Sequence, residues 1–448
     1  MAPSMNARVA GLVDAVRTQL WPIPLAAVIL ALGLGTALPA LDTVVDTDLP
    51  ESVSGLLFSG GPDAARAVLQ AIAGSLITVT SLTFSLTVVT LQLASSQFSP
   101  RVLRTFVADR FVHITLALFM SGFAFALTVL RSVRSETGSD PGFVPEISVT
   151  LAFLLAIASI LGLVLFLAHL TREIRAETVM QRVADETLAT LNRNFPADDD
   201  ASRQAPTPRH DAFQVESAVT GFLTSVDRGA LLRVAIAEQA VLRVNAQPGD
   251  SLVNGVPFAT IWTLDPNHII GPESLQRLND GINNAVFTGS ERTNVQDVAF
   301  GFRQLVDVAA RALSPGVNDP TTAVHVMGHI SGLLCRVVEL SPGTKCLCDD
   351  QGVVRVILSM PGMADLLDLA LAQPRLYGMG DPAVAKRLLS VLEEVSWCDR
   401  TGLYHAEIRA QAQKMGMAVE TGNHLQEERT ELLALVHRLS TNEPHRSP

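Results

Sequence analysis

Thr78, Ser81, Ser85, Gln92, Ser96 and Ser99 fall, with Gly74, inside one stripe of a helical wheel roughly 60° wide at about 100° per residue. A row of hydroxyls with a primary amide can do two kinds of chemistry. It can line a water-filled passage, its oxygens replacing part of an ion's hydration shell. It can also join helices, because small residues permit close approach and hydroxyls bond across an interface or back to the carbonyl four residues earlier. Gln92 favours the passage, since its amide carries two donors and two lone pairs that lipid cannot satisfy. A second band, Thr80, Thr83, Thr87, Thr90 and Gln97, lies nearly opposite and is read as a packing face.

The element that must position these residues is itself unusual. Residues 67–100 form a run of 34 without a charged side chain, yet 14 of them are Ser, Thr or Gln. A helix needs about 20 residues to cross the hydrocarbon core of a bilayer, so the run is long enough to span. Four spans are expected, at about 20–41, 68–97, 111–130 and 147–170. Trp21 stands where an interfacial aromatic would sit. Arg8 and Arg17 before the first segment resemble a signal peptide, but its apolar core is too long and further spans follow, so it is read as retained.

Composition agrees with a membrane part joined to a large soluble part. Charged residues are 17% and mean hydropathy is +0.31. A net charge of −11 argues against a nucleic-acid partner. The expected partners are the lipid bilayer and further copies of the same chain. Cys335, Cys346, Cys348 and Cys398 do not make a spaced disulfide framework. Arginines set the orientation: Arg8, Arg17, Arg101, Arg104, Arg110, Arg172, Arg175 and Arg182 fall on one side, and only Arg66, Arg131 and Arg134 on the other. Both termini are therefore expected in the cytoplasm of a bacterium, with the spans in its inner membrane. The first outer loop would then hold Asp42, Asp46 and Asp48, an acidic mouth that concentrates cations or a merely solvated surface.

The fold class expected is mainly α: a four-span bundle over 20–171, then a cytoplasmic domain with a small β-rich unit and a C-terminal helical region. Residues 1–19 form the cytoplasmic N-terminus. The fourth span is expected to continue as one helix through an extension over 172–195, followed by a linker over 196–211 rich in Pro, Asp and Ala. Residues 212–265 read as the β-rich unit, with turns at Pro248-Gly249-Asp250 and Asn254-Gly255. Residues 266–448 read as mostly helical. Within them, Ser314-Pro315-Gly316 ends one helix and Asn318 or Asp319 caps the next, with Pro320 at its first position. That stretch is a tight corner between helices, or a helix start offered to an anion or small ligand. His325 and His329 stand one turn apart, but no third metal ligand is evident, so no metal and no cofactor is expected. No nucleophile–base pair, phosphate loop or metal motif points to catalysis, and no enzyme is expected.

Two segments resemble a known family. FSLTVVTLQLASSQFSPRVLRTFVADR and RTNVQDVAFGFRQLVDVAARALSPGVNDPTTA, with the four-span layout, are similar to a bacterial family of membrane proteins, domain of unknown function 2254. On its motifs, Ser85, Gln92, Ser99, Pro100 and Arg101 match in the membrane part. Arg292, Thr293, Asp297, Asp307, Ser314, Pro315, Asn318, Asp319 and Pro320 match in the soluble part. The resemblance implies location and architecture but no activity. The function expected from the residues is a homo-oligomeric ion channel or transport pore lined by the second span, with a preference for cations. The alternative is a membrane-tethered cytoplasmic sensor or scaffold without transport.

Overall fold

The structure is a computed structural model describing residues 19, 21–45, 57–97, 109–135, 142–173, 175–195, 205–265, 268–340 and 342–441. The chain divides into two compact units, one within residues 10–175 and the other beginning at Ala176.

The N-terminal unit is built from α1 (Pro22–Val45), α2 (Pro62–Gln97), α3 (Arg110–Leu130) and α4 (Glu146–Glu173). The third helix is central, with Phe119, Phe125, Ala126 and Val129 almost wholly buried. Leu69, Ile72 and Leu76 of α2 and Val149 and Ala152 of α4 complete that core. The outer surface is apolar, with Ile29, Leu30, Ile160, Leu161 and Val164 all exposed. That distribution suits a lipid surround, in which each helix satisfies its own backbone. Close approach is made by small residues: a Cβ on Gly35 would stand 2.8 Å from the Thr128 Cβ.

The fourth helix does not continue unbroken into the extension. Arg175 is outside any helix, and its N–H reaches the Arg172 carbonyl at 3.3 Å, an i→i−3 closure that tightens a last turn. A separate helix, α5 (Ala176–Asn194), follows and belongs to the C-terminal unit.

That unit continues with β1 (Phe213–Glu216), β2 (Gly221–Val226), α6 (Arg228–Ala237), β3 (Ala240–Val244), β4 (Ser251–Leu252) and β5 (Pro257–Thr263). Next come α7 (Pro272–Asn284), β6 (Val286–Gly289), α8 (Val298–Ala312), α9 (Pro320–Leu340), β7 (Lys345–Cys348) and β8 (Val354–Leu358). Four helices end it: α10 (Met363–Gly378), α11 (Pro382–Cys398), α12 (His405–Thr421) and α13 (Gln426–Thr441). The strands do not form a module closed at residue 265. They make a five-stranded sheet in the order β1-β5-β3-β8-β7 and a three-stranded sheet in the order β4-β2-β6. The β7–β8 hairpin joins the larger sheet through parallel pairing of β3 with β8, with Leu242 opposite Val356. Both expected turns are present, and Gly249 and Gly255 take positive φ there, at 99° and 78°.

Among the described residues five helices are long and apolar enough to cross a membrane, one more than the four expected. The fifth is α9, the least apolar of the five. Its Ala323, Val326, Met327, Ile330, Leu334 and Val337 are all buried inside the C-terminal unit. That buried face packs α9 into the core of its unit.

Candidate functional site

The second helix separates its polar residues into two populations. Thr83, Thr87 and Thr90 are buried within the bundle, and Thr80 is half-buried. Thr80, Thr87 and Thr90 turn their hydroxyls back to the carbonyls of Leu76, Thr83 and Leu86 at 2.6, 2.8 and 2.8 Å. That back-bonding lets a hydroxyl sit in an apolar contact at small cost. The opposite stripe points out of the bundle. Gly74, Thr78, Ser81, Ser85 and Gln92 are all exposed. Exposed Ile77 and Phe84 flank the stripe on one side, and exposed Leu82, Val89 and Leu93 on the other. Of the remaining stripe residues, Ser96 lies in the helix but its side chain is outside the described residues, as is Ser99 entirely.

Asp42 does not stand in an open acidic mouth. It is 2% exposed, and its carboxylate accepts from the N–H groups of Ile147 and Ser148, both at 3.2 Å, and from the Ser148 hydroxyl at 2.7 Å. Pro145 precedes α4 and has no side-chain acceptor, so the donors at that helix start are met by a carboxylate from α1. Asp46 and Asp48 lie outside the described residues, as do Pro100, Arg101 and Arg104.

One ionisable pair in this unit escaped the sequence reading. Asp109 caps α3 by accepting from the Phe111 N–H at 2.9 Å, and its other oxygen meets His169 Nε2 of α4 at 2.6 Å. The Phe111 ring packs on the imidazole with centroids 4.6 Å apart. Only the cap was foreseeable, because the pair joins residues 60 positions apart.

In the C-terminal unit the segment Arg292–Asp297 ties several elements together. Arg292 forms a two-pronged ion pair with Asp297, at 2.7 and 3.0 Å. Asp297 in turn caps α8 by accepting from the Phe300 N–H at 2.9 Å. The Arg292 guanidinium lies 5.5 Å above the Phe300 ring. Burial raises the Asp297 carboxyl above its ordinary range, against the opposing pull of the Arg292 charge. Gly249 closes over the pair, since an added Cβ there would collide with the Asp297 carboxylate. Asn294 donates to Glu186 at 3.0 Å and accepts from Thr190 at 2.8 Å through its carbonyl. Gln296 spans to β2, accepting from the Val226 N–H at 3.0 Å and donating to its carbonyl at 3.1 Å. Gly301 lets α8 meet α5, because a Cβ there would run into Thr187.

The corner between α8 and α9 is built as a double cap. The Asp319 N–H reaches back to the Ala312 carbonyl at 2.8 Å, while its carboxylate accepts from the Thr322 N–H at 3.0 Å and hydroxyl at 2.6 Å. Those bonds, the hydroxyl's first, hold the Asp319 carboxyl below its ordinary range. Asn318 sits at φ 50°, a left-handed position that an Asn tolerates better than most residues. The Ser314 hydroxyl donates to the Arg311 carbonyl at 2.6 Å. Asp319 is thus the cap, and Asn318 makes the turn that delivers it. On α9, burial pushes His329 below the ordinary imidazole range. Among the described residues no three His, Cys, Asp or Glu side chains gather closely enough to hold a metal ion.

Helices with an apolar outer surface, one of them carrying a polar stripe, define a membrane protein with several apolar helices. The chain belongs to the family described as predicted membrane proteins, domain of unknown function 2254, whose pattern matches residues 17–394. It is 34% identical over 408 residues to uncharacterized proteins of Mycobacterium bovis and of Mycobacterium tuberculosis strain H37Rv, covering 88% of this chain and 75% of each relative. No solved structure matches it.

Proposed function

We propose that this membrane protein assembles into a homo-oligomeric channel or transport pore, with the exposed stripe of α2 facing the passage. The observation that carries the reading is the direction of that stripe. Thr78, Ser81, Ser85 and Gln92 leave the bundle while the threonine band packs into it. The Thr78 hydroxyl is met by the Gly74 carbonyl at 2.9 Å, so Gln92 and the serines make the stronger demand for water or a partner. An exposed amide facing lipid is costly, and further copies of the chain arranged around a closed axis would relieve it. A single helix per chain cannot enclose a passage, so the reading requires several subunits. The arginine asymmetry favours both termini on the cytoplasmic side of the inner membrane. Cation preference now rests on Asp46 and Asp48, because Asp42 is committed to capping α4.

Cysteine substitution tests the reading. Single Cys at Thr78, Ser81, Ser85 and Gln92 should react with water-soluble thiol reagents, since thiolates form where water reaches. Cys at Thr83 and Thr87 should stay protected. Liposomes containing the purified protein should pass ions. Protection along the whole stripe, with no flux, would leave the stripe as glue between subunits and favour a tethered sensor or scaffold. Reporter fusions at Asp46 and after Asn194 should report opposite compartments; one shared compartment would sink the orientation.

A further inference from the structure

Packing within the C-terminal unit fixes which of its connections lie beside the start of α5. Arg336 of α9 donates to Asn192 Oδ1 of α5 at 2.9 Å. Seven residues earlier on each helix, Asp185 lies close enough to His329 for its charge to act on the imidazole. The two helices therefore run parallel and in step. Pro320 and Ala176 each stand nine residues before that second pair, so α9 and α5 begin at the same level. The corner between α8 and α9 is thus at the end of the unit where α5 starts. The end of α10 is there too, since a Cβ on Gly378 would stand 2.9 Å from the Leu313 Cδ1. Three apolar side chains are left open on these two connections: Val317 is 52% exposed, Leu376 72% and Tyr377 54%.

Exposure alone does not identify a partner, because Leu403, between α11 and α12, is 62% exposed. That residue lies at the opposite end. Gly378 also meets Val384 at the start of α11, and further along both helices the Ser331 hydroxyl of α9 donates to Glu394 of α11. The two helices therefore run the same way, and the connection that follows Cys398 is remote from the corner. Connectivity separates the two ends. Only Ile174 and Arg175 stand between α4 and α5, so the chain itself keeps Ala176 within about 10 Å of the last turn of an apolar membrane helix. Aliphatic side chains with a tyrosine beside them suit the bilayer interface, where the rings and chains enter the acyl boundary and the phenol stays among headgroups. We propose that Val317, Leu376 and Tyr377 dock this end of the C-terminal unit on the interfacial layer of the bilayer that holds α1 to α4. The inference rests on the membrane helices and not on the pore reading, and it stands or falls separately.

Fluorescence quenching on the full-length protein in phosphatidylcholine liposomes tests this. Val317→Cys, Leu376→Cys and Leu403→Cys are each labelled with a thiol-reactive environment-sensitive dye, and wild type labelled in parallel gives the background from the native cysteines. Phosphatidylcholine carrying a nitroxide high on its acyl chain is the quencher. Labels at Val317 and Leu376 should lose most of their emission, while the label at Leu403 keeps its own. The dye's own affinity for lipid is common to all three, so the contrast between ends is the readout. Leu376→Asp, in the chain labelled at Val317, should restore emission to the Leu403 level. All four positions are exposed, and circular dichroism checks that each variant is folded. Should Leu376→Asp fail to fold, the three labels alone still decide the matter. Equal loss at all three positions, or loss at none, would overturn the proposal. So would quenching at Val317 that survives Leu376→Asp, because the contact would then not be made by these side chains. A Val317 label shielded from aqueous iodide yet untouched by the nitroxide lipid would overturn it as well, by placing a second copy of the chain on the patch.

Discussion

Two polar segments of this chain, the stripe of α2 and the stretch Arg292–Asp297, use their polar residues in opposite ways. In α2 the stripe from Gly74 to Gln92 points away from its own bundle. In the C-terminal unit, Arg292, Asn294, Gln296 and Asp297 point inward, each bonded to a neighbour. An inward, bonded polar network fixes one arrangement of elements, here at the cost of an Asn294 Oδ1 that no donor reaches among the described residues. A polar surface left unsatisfied by its own fold is available for something else. On the pore reading proposed above, the difference separates residues that build the molecule from residues that act for it, and substitutions at the two places should divide the same way.

The largest effect is expected at Arg292. Its removal leaves the Asp297 carboxylate, 2% exposed, buried without a counter-charge. Breaking one partner of a buried pair costs about 3–5 kcal/mol. Arg292→Ala should therefore lower the midpoint of unfolding in micelles sharply. A loss within the ordinary surface range would break the comparison, because Asp297 would then have another way to be satisfied. Gly301→Ala comes next. Its methyl group would meet Thr187, whose Cβ and Cγ2 would both stand 2.8 Å away, and overpacking of this kind costs about 1–3 kcal/mol. Thr187→Ala in the same chain should recover much of that loss, whereas a loss unchanged by the second substitution would point to backbone strain instead.

Asp319→Ala should cost about 1 kcal/mol at neutral pH, the usual worth of a helix N-cap. Its pH dependence has a definite sign. The folded carboxyl is held below its ordinary value by Thr322, so the contribution is complete above the unfolded value of about 3.9 and vanishes as pH falls through the folded value. Stability curves of wild type and variant should run parallel from neutral pH down to about 5 and converge below about 4. Parallel curves throughout would mean that the carboxylate is not the group lost. Unchanged stability with abolished activity would assign the corner to a ligand and overturn its structural reading.

Local features were legible in the sequence, and remote pairings were not. The apolar runs placed the four N-terminal helices to within a few residues at most ends, although α2 begins earlier than expected, at Pro62. Ser314-Pro315-Gly316 and Asp319 announced the corner through cap and turn chemistry that a few adjacent residues contain. The opposed bands of α2 followed from spacing alone, though which band would be buried depended on packing against α3 and α4. Asp42 looked solvated because its partners lie more than a hundred positions away, at Ile147 and Ser148. Parallel pairing of β3 with β8 was hidden for the same reason, and with it the fact that the sheet continues past residue 265. A sequence displays what a turn of helix needs, whereas contacts across the fold need the fold.

The smallest effect on stability should come from the stripe, and it sharpens the comparison most. Ser81→Ala and Ser85→Ala remove hydroxyls exposed on the outer side of α2, so each should change unfolding by less than about 0.5 kcal/mol. Gln92→Leu is the more incisive change. If the stripe only touches lipid, leucine removes an amide that lipid cannot solvate and the protein gains stability with nothing lost. If the stripe lines a passage, the same substitution places an apolar side chain in the water path, and apolar constrictions close pores by dewetting. Flux through liposomes should then fall while the unfolding midpoint holds or rises. Unaltered flux with higher stability would return the stripe to lipid and leave the channel reading without its main support. Lower flux with lower stability and loss of the oligomer would instead make Gln92 a bond between subunits, and the stripe would join Arg292 and Asp297 among the residues that build.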